Sequence, residues 1–353
     1  MKKKINWLLI LQGWTMLWVV IGHAYLGDNA NGPNWENMLG AFAYSFHMPL
    51  FMLISGWLFY LTRLKSFTLI PDRRGGDFST SERQSTDENI IARQWAYWDI
   101  VKDKTLRLLL PGVVFSLVAF AVKIAFPGEV SRQASFGIKE LLMAFLYPYD
   151  NPFREFWFIA TLFWFFLMTP LWKWVLKRKW SMWMIAIILL AIHFLQPETQ
   201  LLSLDRVCSH AVWFYMGLVI SKEDWIEKAL GKKPLFTACI GIAVYVVGVL
   251  VKWAILETVG GIVFSFGLAL ILDNFLPKTF FTFRNYTYQI FLMGIFAQIF
   301  VKIMFKHLSV PYMAAYILCV LMGLYVPVLV SKLIETINWK PLSLCVGLKP
   351  LKK

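Results

Sequence analysis

The sequence predicts an all-α fold, a polytopic membrane helical bundle of about ten transmembrane helices with both termini cytoplasmic. Three observations predict it. Of 353 residues, 58% are hydrophobic and only 16% charged, where soluble domains carry roughly a quarter charged. The mean hydropathy is +0.59, and 17 Trp with 30 Phe bring more apolar side chain than one water-facing globule hides. Ten stretches are long and apolar enough to cross hydrocarbon, where a spanning segment must satisfy its own backbone polar groups. This composition excludes a soluble enzyme, a disordered regulator and a disulfide-stapled secreted module. Cys208, Cys239, Cys319 and Cys345 lie far apart without a CxxC pair, so neither a zinc site nor a redox motif is indicated.

The first stretch, about 5–25, follows Met1-Lys2-Lys3-Lys4 and resembles a signal peptide. Gln12, Thr15, three Trp and the lack of a small-x-small site make it an uncleaved span instead. A second stretch covers 41–62. Residues 63–105 are too polar to pack a core and read as a cytoplasmic loop. Helical character returns over 90–107, where Trp95, Tyr97 and Trp98 suit an interfacial helix. Further stretches cover 108–126, 155–172, 181–197, a short 209–221, then 235–251 and 255–274 joined by a tight turn, 287–306 and 313–331. Pro49 and Pro170 are expected to kink their helices.

An even number of spans places both termini on one side, and 27 of the 35 Lys and Arg fall on that side. The positive-inside rule makes it the cytoplasm, so the expected location is the cell (inner) membrane. Orientation thereby accounts for the net charge of +14, and no nucleic-acid partner is implied. With no internal repeat, Walker motif or GxGxxG, residues 1–353 are expected to form a single membrane domain.

Polar side chains inside such spans are costly and point to function. Gln12 and His23 are three helical turns apart, about 16 Å along one face. His47 opens the second span, so two imidazoles reach one membrane side, and imidazole is the usual general base near neutral pH. His193, His210 and His307 map to the same side, where a hydrogen bond to a neighbour accounts for each. Arg63, Lys104 and Arg107 gather on the inner side, the latter two as i,i+3 neighbours. The outer side carries Arg154 and Glu155 just before Trp157, and Trp35, Tyr147, Tyr149 and Trp157 offer ring faces that suit sugars. Ser55-Gly56 suits a close helix approach.

Residues 12–23, Gln-Gly-Trp-Thr-Met-Leu-Trp-Val-Val-Ile-Gly-His, resemble the first-helix signature of the integral-membrane acyltransferase family 3. Residues 46–57, Phe-His-Met-Pro-Leu-Phe-Met-Leu-Ile-Ser-Gly-Trp, are similar to its second-helix block. Lys104-x-x-Arg107-Leu-Leu-Leu-Pro111 is like its basic lead into the third helix, and Phe156-Trp157-Phe158 resembles its Trp-Phe block. Weaker echoes stand at Phe214-Tyr215-Met216-Gly217 and Tyr286-Thr287-Tyr288-Gln289-Ile290-Phe291-Leu292. Two departures stand out: Gln12 replaces the family's Arg, and Met293-Gly294 stands where the family often has a His.

The resemblance implies an O-acyltransferase that moves an acyl group, usually acetyl, from cytoplasmic acyl-CoA to a hydroxyl of an extracytoplasmic carbohydrate. It implies catalytic roles for His23 and His47. Donor-binding roles fall to Gln12, Lys104, Arg107 and Arg63, whose cations suit the phosphates of CoA. Acceptor-side roles fall to Ser55, Arg154, Glu155 and Trp157. No metal and no permanently bound cofactor is expected; the partners are the lipid bilayer, acyl-CoA and a glycan. A multi-pass transporter or flippase of an envelope precursor, and a catalytically weakened family member, are the alternative readings.

Overall fold

The computed structural model describes residues 6–26, 33–65, 97–125, 137–195, 197–308 and 310–348. The basic start at 2–4, most of the expected polar loop (66–96, including Trp95) and Arg132 lie outside them. The described residues are helical and contain no strand. In chain order the helices are α1 (Asn6–His23), α2 (Asn34–Phe59), α3 (Tyr97–Ile124), α4 (Ile138–Leu146), α5 (Phe156–Leu167) and α6 (Thr169–Val175). They continue as α7 (Lys179–Phe194), α8 (Leu204–Lys222), α9 (Pro234–Val251), α10 (Ala254–Phe275), α11 (Thr287–His307), α12 (Tyr312–Ile337) and α13 (Lys340–Cys345).

All ten apolar stretches are helical, and six helices are long and apolar enough to cross a membrane, or up to seven if the bent pair α5–α6 is one span. The rest fall short for readable reasons. At 16 residues, α7 is about 24 Å long against a hydrocarbon core of about 30 Å. Asp205, Arg206 and Lys222 stand at the two ends of α8 and shorten its apolar stretch. Gln12, Thr15 and His23 make α1 more polar.

Two boundaries differ from the sequence expectation. Helix α2 begins at Asn34, seven residues before the apolar stretch, so His47 sits in its middle rather than at its start. The helix expected over 90–107 is not separate: from Tyr97 it runs unbroken into the third span. A π-turn at Thr105–Leu109 stands just before Pro111. Proline donates no N–H and its ring clashes with the carbonyl four residues back, and a widened turn relieves both. Pro170 behaves as expected. It starts α6 after a 54° bend, where Thr169 and Trp172 side chains donate to the carbonyls of Phe166 (2.5 Å) and Phe165 (2.7 Å) that the bend would leave open.

The chain divides into two compact units, residues 1–55 with 223–353 and residues 56–222, the boundary falling within α2. In the first, α1 packs on α10, α11 and α12, and Trp14 donates to Ser265 Oγ at 3.0 Å. Helices α9 and α10 form an antiparallel hairpin whose turn places Lys252 at φ 53°. Their backbones nearly touch: a Cβ at Gly241 would lie 2.2 Å from Phe264 N, and one at Gly260 2.3 Å from Tyr245 N. In the second unit, α8 packs on α5 and α7. Its buried aromatic core joins Phe165, Phe166, Trp172, Phe214 and Tyr215, and Gly56 lets α2 approach the backbone of Phe214.

Because the obstructing atoms at Gly260 are backbone, they cannot swing aside. Gly260→Leu is therefore expected to destabilise the protein by about 1–3 kcal/mol, read as a lower melting temperature in size-exclusion thermostability scans. Wild-type melting would show that α9 and α10 do not approach this closely.

Candidate functional site

A helix ends with four carbonyls that have no partner within it. At the end of α1 the remaining structure meets all four. Val20 O accepts from Gln298 Nε2 at 2.8 Å. Ile21 O accepts from Ala24 N at 3.1 Å and the Tyr316 hydroxyl at 3.4 Å. Gly22 O accepts from the Tyr44 hydroxyl at 3.1 Å, and His23 O from Lys302 Nζ at 2.9 Å. The side-chain donors come from α2, α11 and α12, so three helices hold the peptide groups around His23. Just beyond, Leu26 N donates to Glu36 Oε1 at 3.1 Å, and the Tyr312 hydroxyl donates to the same carboxylate. Glu36 is only 2% exposed, and these donors are what make a buried carboxylate tolerable.

Two imidazoles flank Tyr44. Its ring centroid lies 6.1 Å from that of His23 and 5.2 Å from that of His47. His23 is half-buried, whereas His47 is 1% exposed. His47 Nδ1 lies 2.5 Å from Ala43 O. A carbonyl only accepts, so Nδ1 carries the proton and Nε2 is left as the basic nitrogen. The expected pair is thus brought together, with Tyr44 between the rings. Gln12 is half-buried on the same helix and makes no hydrogen bond among the described residues. Ser55 is half-buried on α2, about 12 Å along the helix from His47.

In the second unit, Arg63 and Arg107 share one carboxylate that the cation-based reading overlooked. Arg63 Nη2 lies 2.8 Å from Asp103 Oδ2, and Arg107 Nε 2.9 Å from Asp103 Oδ1. Lys104 Nζ lies 4.2 Å over the Phe166 ring, a cation–π contact. The three expected cations therefore do cluster, with one charge offset between the two guanidinium groups. Trp157 stacks parallel to Tyr149, within 2° and 6.4 Å between centroids, and meets His210 at 5.4 Å. Arg154 is exposed, and Glu155 is the residue just before α5, its side chain making no capping hydrogen bond there. His193 and His210 make the neighbour bonds expected of them, Nδ1 of each lying 2.6 and 2.8 Å from Ser209 O and Ser209 Oγ.

Lys302, Gln298, Tyr316, Glu36 and Tyr44 are what sequence reasoning missed. A signal was present: Gln298 and Lys302 are i,i+4 on a mostly apolar helix, hence on one face, and ionisable residues there are rarely idle. At Met293-Gly294, where the family often has a His, the helices are closely packed at the glycine. A Cβ at Gly294 would already lie 2.9 Å from Gly323 O, so as α11 and α12 pack here position 294 has no room for a larger side chain.

Lys302→Met leaves the His23 carbonyl without its donor and is expected to cost about 1–3 kcal/mol, with partial recovery in Lys302→Arg. Melting temperatures of the three proteins check this; equal values would show that the ammonium does not hold α1.

A family model described as an acyltransferase domain, that of acyltransferase family 3, matches residues 5–332, nearly the whole chain. No curated protein and no solved structure matches it.

Proposed function

We propose that this chain, which belongs to acyltransferase family 3, transfers an acyl group, acetyl by family analogy, from cytoplasmic acyl-CoA to a hydroxyl of an extracytoplasmic carbohydrate. It is an acyltransferase and a membrane protein. In the proposed arrangement about ten helices cross the inner membrane, both termini are cytoplasmic, and His23 lies toward the outside. The skew of Lys and Arg along the sequence supports that orientation.

The single observation that carries the reading is the placement of His23. Its peptide is tied to α11 through Lys302, and its ring packs on Tyr44, whose other neighbour is the His47 imidazole. A base that must meet a proton in one geometry gains from a backbone fixed on several sides. His23 takes the proton of the acceptor hydroxyl as its oxygen attacks the thioester carbonyl. The tetrahedral oxyanion then collapses, the C–S bond breaks, and the imidazolium returns a proton to the leaving thiolate. Products are the O-acyl ester and the CoA thiol. His47, with Nε2 as its basic nitrogen, is the second imidazole of the site.

Donor binding falls to Arg63, Lys104 and Arg107, whose guanidinium forks and ammonium suit a pyrophosphate and a ribose phosphate. Gln12 can accept or donate a hydrogen bond but offers no charge, so the phosphates rest on the cation cluster. Ser55, Arg154, Glu155 and Trp157 are assigned to the acceptor side.

His23→Ala is expected to lower acyl transfer about 10²–10⁴-fold while the protein still reaches the membrane. Labelled-acyl incorporation into envelope glycans, alongside membrane fractionation, measures both. Full activity of His23→Ala together with loss in His47→Ala would reverse the assignment of the base. Lys104→Ala with Arg107→Ala should raise KM for acyl-CoA and leave kcat largely intact, if these cations bind the donor alone.

A further inference from the structure

Clustered cations usually have carboxylates among them. Arg63 and Arg107 share Asp103, and Lys228, Lys232 and Lys233 follow closely on Glu223, Asp224 and Glu227. The turn from α6 to α7, in the second unit, departs from this. Lys173, Lys177, Arg178 and Lys179 fall within seven residues, and no Asp or Glu stands between Glu155 and Glu198. Among the described residues, the side chains of Lys177, Arg178 and Lys179 make no ion pair and no hydrogen bond, and all three residues are exposed. The dipole at the start of α7 carries the same sign, so the protein itself leaves this charge unbalanced.

The turn is firmly held. Val175 and Leu176 are 0% and 1% exposed and peg it to the core. Ser181 Oγ lies 2.8 Å from Val175 O and 2.9 Å from Arg178 O, and Lys222 Nζ, at the end of α8, donates to Leu176 O at 2.7 Å. A ligand arriving here meets cations whose backbone is already fixed. The surface around them is apolar. Trp174 and Trp180 are 57% and 59% exposed, and neither indole N–H has a partner among the described residues. Trp180, Trp183, Met184, Ile187 and Ile188, spaced by three and four, form one exposed stripe that runs from the cations along α7. The opposite face packs on α8, where the Tyr215 hydroxyl donates to Met182 O at 2.9 Å. At 16 residues, α7 is shorter than the hydrocarbon core, which draws its ends toward the acyl chains.

Together these features select a ligand. A soluble phosphate compound would use the cations and leave the stripe bare. A zwitterionic lipid would cover the stripe but bring its own ammonium toward three cations. An anionic phospholipid meets both needs. Its phosphate suits Lys177, Arg178 and Lys179, its ester oxygens can accept from the two indoles, and its acyl chains lie along the stripe. We infer that the α6–α7 turn is a binding site for an anionic phospholipid of the leaflet it faces, a defined contact beyond the bilayer's role as solvent. The inference is independent of the acyl-transfer reading.

Native mass spectrometry of the full chain, titrated with equal amounts of dioleoylphosphatidylglycerol and dioleoylphosphatidylcholine, tests it by reading both affinities at once. Expected is a retained phosphatidylglycerol adduct, preferred over phosphatidylcholine. The triple variant Lys177→Gln, Arg178→Gln, Lys179→Gln should weaken that adduct about a hundredfold, roughly fivefold per charge. Its melting temperature should hold, because the three side chains are exposed and unpaired. A second triple variant, Lys228→Gln, Lys232→Gln, Lys233→Gln, removes the same charge elsewhere and should leave the adduct largely intact. Equal weakening by the two variants would reduce the site to a diffuse positive field and overturn it. Equal adducts of the two lipids on the wild-type chain would overturn it as well. Displacement of phosphatidylglycerol from the wild-type chain by excess inorganic phosphate or CoA would assign the turn to a soluble phosphate and reject the lipid.

Discussion

Everything proposed for this protein depends on how the last turn of the first helix is held. In water, the open carbonyls of a helix end are solvated at little cost. In an apolar bundle each one left bare would cost about 1–3 kcal/mol. Here Gln298, Tyr316, Tyr44 and Lys302 each donate to a different carbonyl of residues 20–23. These contacts satisfy the backbone and, by the same bonds, fix the residue that carries the basic ring. Stability and positioning are therefore one requirement here. The donors also explain why α11, apolar along most of its length, contains Gln298 and Lys302 one turn apart.

The second unit shows a related economy with charge. Arg63 and Arg107 come from segments separated by the long polar stretch, yet both meet Asp103 within 3 Å. A carboxylate between two guanidinium groups relieves their mutual repulsion and leaves the cluster net positive. The two arginine side chains remain more than a third exposed, so the pairing itself is worth little in stability; its effect is to set where the cations stand. Lys104 is placed by a different means, over the face of Phe166. A hydrophobic core residue thereby helps position a charge.

Much of this was legible in the sequence, and the failures have physical causes. Hydropathy located all ten apolar stretches as helices because burial in lipid or protein needs the same residues. It placed the start of α2 too late because Asn34-Trp35-Glu36-Asn37 is polar, and one of the donors that make buried Glu36 tolerable, the Tyr312 hydroxyl, comes from 276 positions away. Pro170 told its bend plainly, since the missing N–H acts locally; Pro111 did not announce the π-turn ahead of it, because that turn depends on how the helix absorbs the clash. Asp103 and Lys302 were visible but were counted only as charges. The His23–His47 proximity followed from two motifs on successive helices, whereas Tyr44 between them did not, since an exposed aromatic near a helix start is commonplace in such chains.

The clamp on α1 also has a temporal side. Its partners Gln298, Lys302 and Tyr316 lie 278, 279 and 295 residues later in the chain than the carbonyls they hold. At about 5–20 residues per second, a ribosome needs roughly 15–55 s to supply them after the first helix has emerged. Throughout that interval the end of the first helix has only its early donors, Ala24 N and the Tyr44 hydroxyl, so a nascent chain halted before position 298 holds His23 without Gln298, Lys302 or Tyr316. The full set of donors to this helix end is therefore complete only late in translation, and truncated products lack part of it.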